Sequence, residues 1–180
     1  MTDPRAASAL PDALLDRARA HVPALVQGLV DAATASLSSG AATHAIGPDR
    51  DQIMPALEVL QGRRQRLIRA LEDAMHQALA GPTPLGGSGG GAGALTLSLI
   101  SEDRVDEDIE IARVVQQVES QAEWELGQLS ALASSARGLD GIHADAAPLR
   151  PAQVGRALRE ACLTLDLPLP PRLRLLREMG

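Results

Sequence analysis

A chain of 180 residues can form one medium domain or two small helical units around an apolar core, and it is too short for a large enzyme. Its apolar fraction of 45% includes one Trp and no Phe or Tyr, so any core must be built from Leu, Val, Ile, Ala and Met. All 17 cationic side chains are Arg, which excludes a phosphate-loop, Schiff-base or pyridoxal-holding lysine, and a formal charge of −6 disfavours nonspecific nucleic-acid binding.

The opening "MTDPRAASALPDALLDRARA" places Asp and Arg where a signal peptide carries an apolar run, and no uninterrupted apolar segment approaches ~18 residues. A single cysteine, Cys162, leaves no internal disulfide and fits a reducing compartment. The expected location is the cytoplasm, with no membrane contact. From Pro11 to about Leu37 the residues Leu14, Leu15, Ala18, Val22, Leu25, Leu29 and Val30 recur mostly at spacings of three and four. This predicts a helix that Pro23 kinks or divides.

"SSGAATHAIGPDR" reads as a loop. After it, Ile53, Leu57, Leu60, Leu67, Leu71, Met75 and Leu79 mark one stripe of a second long helix that stops at Gly81-Pro82. Arg64 falls in line with that stripe, so its guanidinium must snorkel, pair with a carboxylate or lie at the edge of the core. The surrounding "GRRQRLIR", with Arg63, Arg66 and Arg69, lacks interleaved aromatics and reads as a solvated or acid-paired face rather than a nucleic-acid patch.

The 13 residues "GPTPLGGSGGGAG" contain seven glycines and two prolines, the composition of a linker. A phosphate-cradling loop would need a preceding strand and usually a Lys-Ser or Lys-Thr pair. The chain is therefore expected to divide into an N-terminal helical unit (1–80), a Gly/Pro-rich linker (81–97) and a C-terminal helical unit (98–180). The adjoining "ALTLSL" alternates and could pair briefly as a strand.

The most chemically marked stretch is "SEDRVDEDIEIARVVQQVESQAEWELGQL", with six carboxylates in its first ten residues. Ser101 suits an N-cap, and Glu102 and Asp103 sit in a first turn that favours negative charge. At 100° per residue, Ile111, Val115, Val118, Ala122, Leu129 and Ala133 share a face, while Asp103, Asp106, Glu110, Gln117, Gln121 and Gln128 fall opposite it. The spacing predicts the longest helix of the protein, from about Ser101 to about Ser135, with its acids toward water.

No catalytic constellation, metal site or cofactor is assigned. Glu119 with Glu123, or Asp73 with His76, could supply half of a metal site, but dinuclear carboxylate bundles use Glu-x-x-His pairs and the acidic helix contains no His. The candidate interaction surface comprises Asp103, Asp106, Glu107, Glu110, Trp124, Arg63 and Arg66. Like-charged i,i+4 pairs such as Asp106 with Glu110 repel, so Arg63, Arg66, Arg156 or Arg159, or arginines of a partner, are expected across from them. Trp124, between Glu123 and Glu125 and far from the apolar stripe, should be exposed or meet a second surface.

Gly138 suits a helix stop, and "GLDGIHADAAPLRP" is a turn-rich connector. "PAQVGRALREACLTLDL" follows as a short amphipathic helix in which Cys162 serves as a small core residue. A last helix, "RLRLLREMG", presents Leu173, Leu176 and Met179. Together these elements predict an all-α, elongated multi-helix bundle with one long central helix and a Gly-rich interhelical linker.

The segments "LEVLQGRRQRLIRALEDAM", "SLISEDRVDEDIEIA" and "APLRPAQVGRALREA", in this order, resemble the bacterial domain of unknown function family 1631 (DUF1631) over roughly Leu57 to Met179. The resemblance implies a long, predominantly helical bacterial protein of which this chain looks like the N-terminal portion. Some members carry a thymidine-phosphorylase label, whose lysine-bearing Gly-rich motif is missing here. The family pattern commonly has Asn-Pro where this chain has Ala147-Pro148. Two functions remain: a helical interaction or scaffold module that binds a protein partner or itself through helix faces, or a fragment of a larger enzyme or ligand-binding regulator whose site lies outside this chain.

Overall fold

The computed structural model describes residues 4–43, 46–80 and 102–180, with side chains from 13 and 104 onward in the first and last segments and that of residue 145 omitted. These residues form seven α-helices and one 3-10 turn, with no strand among them. The helices are α1 (Pro4–Thr43), α2 (Pro48–Gly62), α3 (Arg64–Leu79), α4 (Glu102–Gln121), α5 (Glu123–Ala136), α6 (Pro151–Leu163) and α7 (Leu169–Glu178), and the turn spans Ala144–Ala146. The Gly-rich linker, "ALTLSL", the Ser101 cap and the side chains of Glu102 and Asp103 lie outside the described residues.

The 40-residue α1, not the acidic segment, is the longest helix. It buries Val22, Val26, Val30, Ala33 and Leu37, a stripe spaced by three and four, whereas Leu25, expected inside, is 66% exposed. Nor does Pro23 divide it. A proline at 23 cannot donate to the Arg19 carbonyl one turn back. His76 of α3 fills that place, its Nε2–H donating to the Arg19 carbonyl oxygen at 3.3 Å.

The expected second long helix is two helices that meet at Arg63, where φ −117° and ψ 20° interrupt the hydrogen-bond ladder. Gly62, a weak helix former, precedes the break. The predicted Ser101–Ser135 helix is likewise two, broken at Ala122 with φ −114° and ψ 23°. In both places the ladder resumes within a turn, through Leu67 N–H to Arg63 and Leu126 N–H to Ala122. The second break lets α4 pack on α6 and α7 while α5 turns to α1 and the 3-10 turn.

Helices from both sides of the linker contribute to one apolar core: α3 lies against α6, α2 against α7, and α1 against α3, α5 and α7. The linker therefore separates the helices along the chain but not in the core. Core residues include Ile53, Leu60, Leu67 and Leu71 on one side of it and Leu158, Cys162, Leu175 and Leu176 on the other. Cys162 is fully buried, and desolvation pushes its thiol far above the ordinary range, as befits a small core residue. Where α4 crosses α6, a Cβ at Gly155 would come within 2.8 Å of Val115 Cγ2 and 3.0 Å of Ile111 Cγ2, so the absence of a side chain sets the approach of the two helices.

Candidate functional site

The acidic start of α4 faces the arginines of α6 and α7. Arg159 places Nε 3.2 Å from Glu107 Oε2 and Nη1 2.6 Å from Asp108 Oδ1, while Arg172 donates to the second oxygen of Glu107. One turn on, Arg177 reaches Glu110 at 2.5 Å and Arg113 bonds both Glu110 oxygens at 3.0 Å. The hydrogen bond from Arg177 is the largest influence on Glu110, and with the charges of Arg177 and Arg113 it holds the carboxyl below its ordinary value despite the opposing effect of burial. The same bond raises Arg177.

Glu107 is 4% and Glu110 6% exposed, so neither is part of a free acidic surface. The expected face of α4 is half-buried at Ile111, Val115 and Val118, and Asp106, Gln117 and Gln121 are outward as expected, but the buried stripe runs through Glu107, Glu110 and Val114, so Glu110 lies inward rather than toward water. Carboxylates can take inward positions because guanidinium groups satisfy both oxygens there. Of the arginines expected opposite, Arg159 takes part, and Arg172 and Arg177 were not foreseen. Asp106 points to solvent, and Asp103 lies outside the described side chains.

Arg63 and Arg66 serve a different joint. Arg63 donates to the Leu165 carbonyl at 2.5 Å and to Asp166 at 3.0 Å, and Arg66 lies 3.5 Å from the same carboxylate. They thus tie the α2–α3 break to the end of α6, where Asp166 adopts φ 53°. Arg64 resolves its three options by pairing with Asp31 of α1 at 2.6 Å. Glu178 joins α7 to α1 through Ser36 and is held by Arg174 at 2.6 Å. No three His, Cys, Asp or Glu side chains gather as a metal site among the described residues.

Trp124 stands apart from this ion-pair network. It is 72% exposed at the start of α5 and lines an open cleft with Gln121, Glu123, Glu125, Gln128 and Ile142, the last 71% exposed. Ile142, from the connector after α5, was not singled out by periodicity because only the fold brings it beside the helix. A second concavity of about 230 Å³ lies between α1, α3 and α5, with Leu15, Leu79, Leu129, Leu132 and Leu149 in its wall and Arg137 as its charged member.

Residues 6–179 match the family model described as "Protein of unknown function (DUF1631) N-terminal domain". The chain belongs to this family. The DUF1631 match spans α1 to α7, so it covers the ion-paired joints and the Trp124 cleft alike. No curated protein and no solved structure matches the chain. Among the described residues of this DUF1631 domain, no helix is long and apolar enough to cross a membrane.

Proposed function

We propose that this domain is a helical protein-interaction module, acting in the cytoplasm, with the Trp124 cleft as its docking face. The carrying observation is that the only aromatic side chain of the sequence lies 72% exposed beside an equally bare Ile142. Aromatic anchors concentrate at the centres of interfaces because they bury a large area at small entropic cost. The candidate carboxylates Glu107 and Glu110 enter this reading as the joint that holds α4, and thereby the α4–α5 break, in place. Arg63 and Arg66 are engaged with Asp166 at the α2–α3 break, and exposed Asp106 lies near the far end of α4 from the cleft, so none of the three lines it.

The test is a photo-crosslinking residue at position 124 of the full chain, compared with one at exposed Gln27 of α1 in native cells. A discrete adduct at 124 that is missing at 27 is the expected result. Trp124→Ala should leave the unfolding midpoint unchanged, because an exposed side chain contributes little to the fold. Equal labelling at both positions, or a destabilisation by Trp124→Ala above ~2 kcal/mol, would sink the proposal.

A second reading, a ligand-binding regulator, is supported by the apolar concavity between α1, α3 and α5. It predicts that a small apolar fluorophore binds the isolated chain and that Leu132→Arg abolishes this without unfolding the protein.

A further inference from the structure

We infer that the Trp124 cleft takes a basic peptide segment of a partner protein, with an arginine or lysine side chain laid on the indole between Glu123 and Glu125 and an apolar neighbour against Ile142. This rests on the interaction reading above and adds the chemistry of what is bound. Three observations carry it. The chain between Arg113 and Arg137 contains Glu119, Glu123 and Glu125 and no cationic residue, and the charged side chains that line the cleft are Glu123 and Glu125. Gly127, one turn beyond Trp124, carries no side chain, and a Cβ there would meet nothing within 4 Å, so space is open beside the helix. Gln121 and Gln128 line the same cleft and can serve both the N–H and the carbonyl groups of an extended backbone.

An indole face attracts a cation more strongly than any other side-chain ring, and flanking carboxylates add a long-range field that draws a basic segment in. The same field opposes nucleic acid and acidic peptides. An aliphatic partner alone would leave Glu123 and Glu125 unanswered at the rim.

Trp124 is the only Trp and there is no Tyr, so the intrinsic fluorescence of the protein reads this cleft alone. The experiment titrates the full chain with a short synthetic peptide of alternating arginine and leucine, and separately with its glutamate-for-arginine counterpart. The arginine peptide should change the emission saturably and bind less tightly as salt rises, while the glutamate peptide leaves the emission unmoved. Glu123→Gln combined with Glu125→Gln should weaken binding roughly tenfold. Trp124→Leu, followed by calorimetry, should weaken it by about threefold to tenfold with no change in charge.

Equal response to both peptides, or to neither, overturns the assignment. So does an emission shift that grows with the concentration of the chain alone, which would identify a second copy as the occupant. If position 124 crosslinks specifically while the arginine peptide is silent, docking stands and the basic chemistry falls. If the peptide binds but position 124 gives no specific adduct, the docking reading fails on its own test.

Discussion

Glu110 holds its carboxyl proton less tightly in the folded protein than it would when exposed to water. The Arg177 hydrogen bond outweighs the cost of burial and sets the group below its ordinary value of 4.5. A carboxyl depressed on folding adds stability that is fully present above about pH 4.5 and is lost as the pH falls through the lower folded value. Glu110→Gln should therefore destabilise the protein at neutral pH by ~1–3 kcal/mol and flatten the fall in stability below pH 4.5. Urea unfolding at a series of pH values checks both, and an unchanged acid limb would assign that limb to other groups. Glu107 is the more enclosed carboxylate and answers two arginines, so Glu107→Ala leaves Arg172 without its carboxylate and Arg159 with Asp108 alone. A loss of ~3 kcal/mol is expected, read from the denaturant midpoint.

Helix α1 depends on a neighbour at a point where its own backbone cannot help. Pro23 leaves the Arg19 carbonyl without its usual donor, and the His76 imidazole of α3 supplies one. Pro23→Ala restores the backbone N–H, so it should stabilise the protein and at the same time reduce the cost of His76→Ala. A double-mutant cycle of thermal unfolding should give a coupling of ~0.5–1.5 kcal/mol, and additive effects would show that the imidazole contact is idle. The crossing of α4 and α6 is the opposite case, set by what is missing. Gly155→Ala gains ~1 kcal/mol of helix propensity but forces the β-branched Ile111 and Val115 aside, and a net destabilisation of ~1–2 kcal/mol is expected from the denaturant midpoint.

Much of this element scale is legible in the sequence. Spacings of three and four place Val22, Val30, Leu60, Leu67 and Leu71 inward, because aliphatic periodicity measures a buried stripe directly. In α4 the same spacing places Ile111, Val115 and Val118 toward the core but not the buried Glu107 and Glu110, since carboxylates at inward positions carry no apolar signal. Arg159, Arg172 and Arg177, brought in from distant sequence, make those positions tenable together with the local Arg113. The break at Arg63 has a weak local signal in Gly62, and the break at Ala122 has none. Both serve helices that must reach different neighbours. Trp124 could be marked as odd from its phase alone, but its cleft needed Ile142, which lies outside any helical period.

At the scale of the whole molecule, the helices before the linker share their core with those after it. The buried face of α3, with Leu67, Ile68 and Leu71, belongs to a helix that packs on α6 as well as on α1, and α2 packs on α7 as well as on α1. Polar contacts repeat this pattern: Arg63 and Arg66 pair with Asp166, and the Ser36 hydroxyl donates to Glu178, each across the linker. A unit ending at residue 80 would expose these apolar faces to water at a cost of ~25 cal/mol per Å², which a small helical unit has little surplus to offset. Co-expressed as separate chains, residues 1–80 and 102–180 should therefore assemble into a stoichiometric complex that melts in one cooperative transition. Residues 1–80 alone should show reduced helicity and no cooperative melt by circular dichroism. Loss of the salt-bridge partners through Arg63→Ala with Arg66→Ala should weaken the assembly by only ~1 kcal/mol, because those pairs are half-exposed. In contrast, Leu67→Ala should weaken it by ~2–5 kcal/mol, since the lost contacts lie in the shared core. A stable, cooperatively folded 1–80 fragment would show instead that the linker divides the domain energetically as well as along the chain.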